Sequence, residues 1–84
     1  MTRVASFTYF GSEPSKNRTV RLYQNQSGTY TVDVEGYPSL TQTTPDERKA
    51  ESVFLGWRGM ASKDWGASEI DWNGWTPILI DEEY

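Results

Sequence analysis

The chain has 84 residues, with eight Lys and Arg against twelve Asp and Glu, a formal net charge of −4, and neither cysteine nor histidine. A single domain of this size buries only about 60–65% of its unfolded surface, and no disulfide or Cys/His zinc site is available to reinforce it. Ser-His-Asp and Cys-His catalysis are excluded on the same ground, and none of the seven glycines forms a phosphate-binding loop.

From the N-terminus, Arg3 to Phe10 is rich in β-branched and aromatic residues and places Ala5, Phe7 and Tyr9 on one face of a strand. Gly11 to Asn17 is turn chemistry. Thr19 to Gln24 resumes a strand, with Val20 and Leu22 inward. Asn25-Gln26-Ser27-Gly28 closes a hairpin, and Gly28 suits a left-handed position. Thr29 to Glu35 alternates, so Tyr30, Val32 and Val34 share one face and Thr31, Asp33 and Glu35 the other. Gly36-Tyr37-Pro38 ends this strand, and Ser39 to Thr43 is expected to be a short extended piece.

A helix is predicted from about 45 to 58, with an extension to 62. Thr44 is the expected N-cap, Pro45 the first helical residue, and Glu47 the partner in a capping box. Ala50, Val53, Phe54, Trp57 and Ala61 recur at spacings of three and four and make one apolar stripe. Trp57 is expected in the core; Gly56 and Gly59 are candidates for close packing on the sheet, with Gly59 alternatively marking the helix end. Asp71-Trp72-Asn73-Gly74-Trp75 reads as a tight hairpin around Asn-Gly, and Ile78-Leu79-Ile80 as a short strand. The expected fold class is α+β: one domain over 1–84, a three- to five-stranded antiparallel sheet with one helix packed on one face.

Charge is segregated along the chain. From Asp64 onward there are six carboxylates (Asp64, Glu69, Asp71, Asp81, Glu82 and Glu83), three tryptophans and no Lys or Arg. That segment is −6 and the remainder, eight bases against six acids, is +2. Acids interleaved with aromatics suit a charged rim around a desolvated anchor. The expected partner-binding set is therefore Asp64, Glu69, Asp71, Asp81, Glu82 and Glu83, with Trp72 or Trp75 as anchor and Asp33 and Glu35 as a secondary patch. The partner implied is a protein with a Lys/Arg-rich surface, because a carboxylate array competes with nucleic acid for a basic groove. Direct nucleic-acid binding is disfavoured by the net negative charge and the scattered bases.

Carboxylate catalysis by Asp33 and Glu35, about 6–7 Å apart on one strand face, and Ca²⁺ or Mg²⁺ binding by the acids are the remaining chemical options, and neither is favoured. The protein is expected to be non-enzymatic and without cofactor or metal. No apolar run approaches the roughly 20 residues needed to span a bilayer, and no signal-peptide pattern opens the chain, so a cytoplasmic protein is expected. Two other classes fit the composition: a small structural or accessory subunit of a larger assembly, such as a phage particle, and a sugar-binding module that stacks exposed tryptophans on its ligand.

The Thr19–Glu35 hairpin, the helix opening Thr44-Pro45-Asp46-Glu47-Arg48-Lys49-Ala50-Glu51 and the acidic end together resemble small phage-encoded inhibitors of the anti-CRISPR type. The resemblance is one of size, charge and element order across the whole chain. It implies an inhibitor that occupies a nucleic-acid-binding surface of a CRISPR effector complex, and it assigns no individual residue.

Overall fold

The computed structural model describes residues 2–64 and 66–79, with the backbone alone at Ala61, Ser62 and Asp64. Among these residues a four-stranded antiparallel sheet, β1 (Thr2–Tyr9), β2 (Arg18–Gln24), β3 (Tyr30–Val34) and β4 (Gln42–Thr44), runs in chain order, followed by helix α1 (Glu47–Asp64). The small α+β fold expected from the hairpin and the striped helix is the fold observed.

Register follows the alternation. Val20 stands between Phe7 and Val34, and Leu22 between Ala5 and Val32, so two rows of apolar side chains cross the sheet on one face. α1 lies over these rows. Val32 and Val34 are 1% and 3% exposed, and Ala50 and Phe54 of the helix are equally enclosed. A bulge at Val4 shifts β1 by one residue against β2, and Val4 and Ala5 are both buried as a result. At the far end of the β2–β3 hairpin Gly28 has φ +90°, where a Cβ would be strained.

The helix departs from expectation in four ways. Its cap is Asp46, whose Oδ1 accepts the N–H groups of Arg48 at 3.0 Å and Lys49 at 3.3 Å. Thr44 cannot serve because it is still paired with Tyr30 in β4. The helix also takes up the extension to 62 and continues to Asp64. Gly56 and Gly59 face outward, with nothing within 4 Å of where a Cβ would stand, so they do not mediate packing on the sheet. Trp57 packs against the core but is only partly buried, and Phe54 is the enclosed aromatic of the helix, edge-on to Phe7 at 5.3 Å.

The C-terminal segment differs more. Residues 72–75 form a turn closed by Trp75 N–H to Trp72 C=O at 2.6 Å, with Gly74 at φ +82° and Asn73 at negative φ. That is the type II pattern, whereas a two-residue hairpin needs positive φ at Asn73 as well. Asn73 is held by its own contacts: its N–H meets Asp71 Oδ1 and its side-chain amide donates to the Arg3 carbonyl at 2.8 Å. Ile78 and Leu79 are not in a strand, because their N–H groups are taken by a side chain of α1 (below); Ile80 lies outside the described residues.

Two exposed helical glycines with open space beside them cost stability without return. Gly56→Ala and Gly59→Ala are expected to raise the unfolding free energy by about 1 kcal/mol each, read as a shift in the urea midpoint at unchanged slope.

Candidate functional site

After α1 the chain returns antiparallel along the open edge of β1. Phe10 N–H donates to Gly66 C=O at 3.2 Å, Ser68 N–H to Thr8 C=O at 2.8 Å, and Ser6 and Asp71 exchange both backbone bonds at 2.8 and 2.9 Å. Thr8 N–H finds the Ser68 hydroxyl at 2.8 Å instead of a carbonyl. The pairing is too irregular for a full strand, yet it occupies donors and acceptors that an exposed edge would offer to another chain. Arg58 fastens the segment from the helix side, its Nε–H donating to Ser68 C=O at 3.1 Å.

This path sets out the acidic residues. Glu69 and Asp71 stand exposed on the strip beside β1. Asp71, 64% exposed, lies 3.7 Å from the Arg3 guanidinium. Asp33 and Glu35 are on the sheet face away from α1 and share one cation, each at 3.3 Å from Arg21. Two carboxylates bound to one guanidinium leave one net negative charge, which reduces what this secondary patch offers a partner. Asp64 is described in its backbone only, and Asp81, Glu82 and Glu83 lie outside the described residues.

Trp72 and Trp75 are half-buried supports of the fold. Trp72 meets Phe54 edge-on at 5.8 Å, and Trp75 meets Tyr30 at 6.1 Å. Their rings turn inward because the turn between them faces the flank of α1. Both rings are partly buried against the core, so an anchor role for either is confined to the part of the ring left exposed.

The residue that holds this arrangement is Glu51, which is fully buried. Its carboxylate accepts Trp75 Nε1–H at 3.0 Å, Ile78 N–H at 2.9 and 3.2 Å and Leu79 N–H at 3.2 Å. Consecutive backbone N–H groups converging on one anion make a small nest, and the indole completes it. Glu51 escaped notice in the sequence because an acid in a helix is ordinarily solvated. A signal exists nonetheless. At about 100° per residue, Leu55 and Arg58 follow Glu51 on the flank beside the Ala50–Phe54 stripe, so apolar character extends further round the helix than the stripe alone.

Three further features surround this core. Arg18 lies in the last cross-strand row, opposite Tyr9 and beside Gly36; its guanidinium sits 5.3 Å from the Tyr37 ring, and a Cβ at Gly36 would come within 2.9 Å of its Nε. Burial, and then the neighbouring Tyr37, push the Tyr9 phenol above its ordinary pKa, with Arg18 pulling the other way. A recess of about 240 Å³ between β4 and the first turns of α1 is floored by Val32, Ala50 and Val53, and is smaller than the ~300–1,000 Å³ of most ligand pockets. Among the described residues no group of three or more Asp and Glu is placed to hold a metal ion.

Removing the Glu51 carboxylate leaves three part-buried donors without this acceptor, each costing up to about 1–3 kcal/mol where water cannot replace it. Glu51→Ala is therefore expected to destabilise by about 2–3 kcal/mol in urea denaturation, with loss of hydrogen-exchange protection at Ile78 and Leu79 as the local signature. Tyr9 makes a separate prediction. A phenol whose pKa is raised by folding contributes stability that is intact below about pH 10 and lost as pH climbs through the folded value. Stability should fall with alkalinity above pH 10, and Tyr9→Phe should flatten that fall.

The chain matches no protein-family model, no curated protein and no solved structure.

Proposed function

We propose that the protein is a non-enzymatic binding protein that presents carboxylates to a Lys/Arg-lined surface of a nucleic-acid-handling protein and so blocks it. The observation that carries this reading is the Glu51 nest. By holding Trp75, Ile78 and Leu79 against α1, it stabilises the strip on which Glu69 and Asp71 are displayed, so these acids project from a supported ledge. Asp81, Glu82 and Glu83 follow in the chain and add to the same sign. An exposed ion pair is worth at most about 1 kcal/mol, so the acids act together, through the rate of encounter more than through affinity. A CRISPR effector is one target of this kind, on the strength of the resemblance in size, charge and element order.

A second reading, a structural or accessory subunit, is favoured by one observation: Phe10, Tyr37, Leu40 and Met60 are large apolar side chains left exposed.

The two separate by salt dependence. Immobilised protein captures its partner from a nuclease-rich bacterial lysate, and association with that partner is then measured across ionic strength. The variant Glu69→Gln, Asp71→Asn, Asp81→Asn, Glu82→Gln is expected to associate at least ten times more slowly at low salt, with a shallower salt slope and an unchanged circular dichroism spectrum. An unchanged salt slope would remove the acidic ledge from the mechanism and leave the subunit reading.

A further inference from the structure

We propose that Asn73-Gly74 is a site of spontaneous covalent modification, deamidation through a cyclic imide. The folded turn holds the reaction off, and its product keeps the turn from reclosing on β1. The inference rests on no part of the functional reading above. Asn73 is the only asparagine of the chain followed by glycine. Asn17 precedes Arg18 and Asn25 precedes Gln26, and those side chains crowd the backbone nitrogen that would have to react.

The chemistry needs only the two residues, hydroxide and water. The Gly74 backbone nitrogen gives its proton to hydroxide and forms a bond to Asn73 Cγ. The Cγ–Nδ2 bond breaks, and the side-chain nitrogen leaves as ammonia. Water then opens the imide ring. Cleavage of the ring bond at Cγ gives aspartate at position 73. Cleavage of the bond to the main-chain carbonyl gives isoaspartate, with the backbone running through Cβ.

Two features of the turn favour the reaction. Asn73 and Gly74 are both exposed. The Gly74 nitrogen is also unhindered: no atom lies within 4 Å of where a Cβ would stand, and among the described residues no hydrogen bond holds its N–H. Against this, ring closure needs Cγ within about 3–3.5 Å of that nitrogen, and two hydrogen bonds hold Asn73 against the rotations that bring it there. Its N–H donates to Asp71 Oδ1 at 3.2 Å and its side-chain amide to the Arg3 carbonyl at 2.8 Å. Trp75 closes the turn on Trp72 and is itself held by Glu51. The reaction therefore waits on local opening of the 72–75 turn.

The product cannot restore the latch. An ionised carboxylate accepts hydrogen bonds and donates none, so aspartate at 73 sets one acceptor against another at the Arg3 carbonyl. It also adds a negative charge beside Asp71, which already engages the nearby Arg3 guanidinium at 3.7 Å. Isoaspartate lengthens the main chain between Trp72 and Trp75 and displaces the indole from Glu51. Either product exchanges a hydrogen bond for repulsion or misfit, so each modification event releases the turn in one direction only.

Full-length protein is incubated at mildly alkaline pH, in buffer and in concentrated urea, and its peptides are followed by mass spectrometry and an isoaspartate assay. Deamidation at Asn73 is expected to outrun that at Asn17 and Asn25, and to proceed at least tenfold faster in urea than in buffer. Asp71→Ala should speed it at least threefold in buffer and leave it unchanged in urea. Gly74→Ala should slow it at least tenfold in urea, where the strain of a positive φ no longer bears on the result. Asn73→Asp, which reproduces one product, should speed amide exchange at Trp75 and Ile78 at least tenfold with the circular dichroism unchanged. Any of three results would overturn the proposal: no mass gain at position 73 in urea, equal rates in buffer and urea, or unchanged exchange in Asn73→Asp.

Discussion

A carboxylate enclosed in the protein, accepting three N–H groups from a segment more than twenty residues away, is the interaction on which the rest of this structure depends. An acid at a fully buried position is costly unless its oxygens are satisfied. Glu51 meets that condition only when Trp75, Ile78 and Leu79 are in place. The dependence is mutual, since those donors would otherwise be stranded against the helix. In a domain with no disulfide, a polar contact of this kind supplies the specificity that a covalent staple supplies elsewhere: it accepts one arrangement of the C-terminal segment and penalises the others.

Around that contact the aromatics pair in two groups, one on each side of the 72–75 turn. Phe7 of the sheet meets Phe54 of the helix, Phe54 meets Trp72, and Trp75 closes on Tyr30 from the other side of the same turn. Each edge-to-face pair adds about 0.5–1.5 kcal/mol beyond the area it buries. The tryptophans therefore extend the core across the flank of α1, and the acids that accompany them in the sequence are left on the rim. The distribution of charge follows from this division of labour. Glu69 and Asp71 stand exposed on the strip along β1.

The sheet face away from the helix shows how polar groups can cover a sheet without a second layer. Thr8 with Thr19, and Thr31 with Thr43, hydrogen-bond across strands, Asn25 reaches Thr29 and Thr31, and Arg21 joins Asp33 to Glu35. Arg21 offsets one of the two carboxylates, so this face offers a partner less unspent charge than its composition suggests.

What the sequence determined by itself is what depends on neighbours in the chain. The alternation from Thr29 to Glu35 settles which residues of β3 face inward, because a strand has a period of two. The apolar stripe through Ala50, Phe54 and Trp57 likewise settles which side of the helix meets the sheet. Tertiary structure decided everything that needed a distant group. Thr44 has the chemistry of a cap but remains in a ladder with Tyr30, so the cap falls to Asp46. Asn73-Gly74 has the chemistry of a hairpin, but the amide of Asn73 is claimed by Arg3. Trp72 and Trp75 could be core or surface until the flank of α1 is set beside them. Glu51 is an ordinary helical acid until a segment returns to donate three hydrogen bonds to it. Local propensity and periodicity are carried by adjacent residues, whereas burial, hydrogen-bond partners and the clustering of charge belong to contacts that form only when the chain folds back on itself.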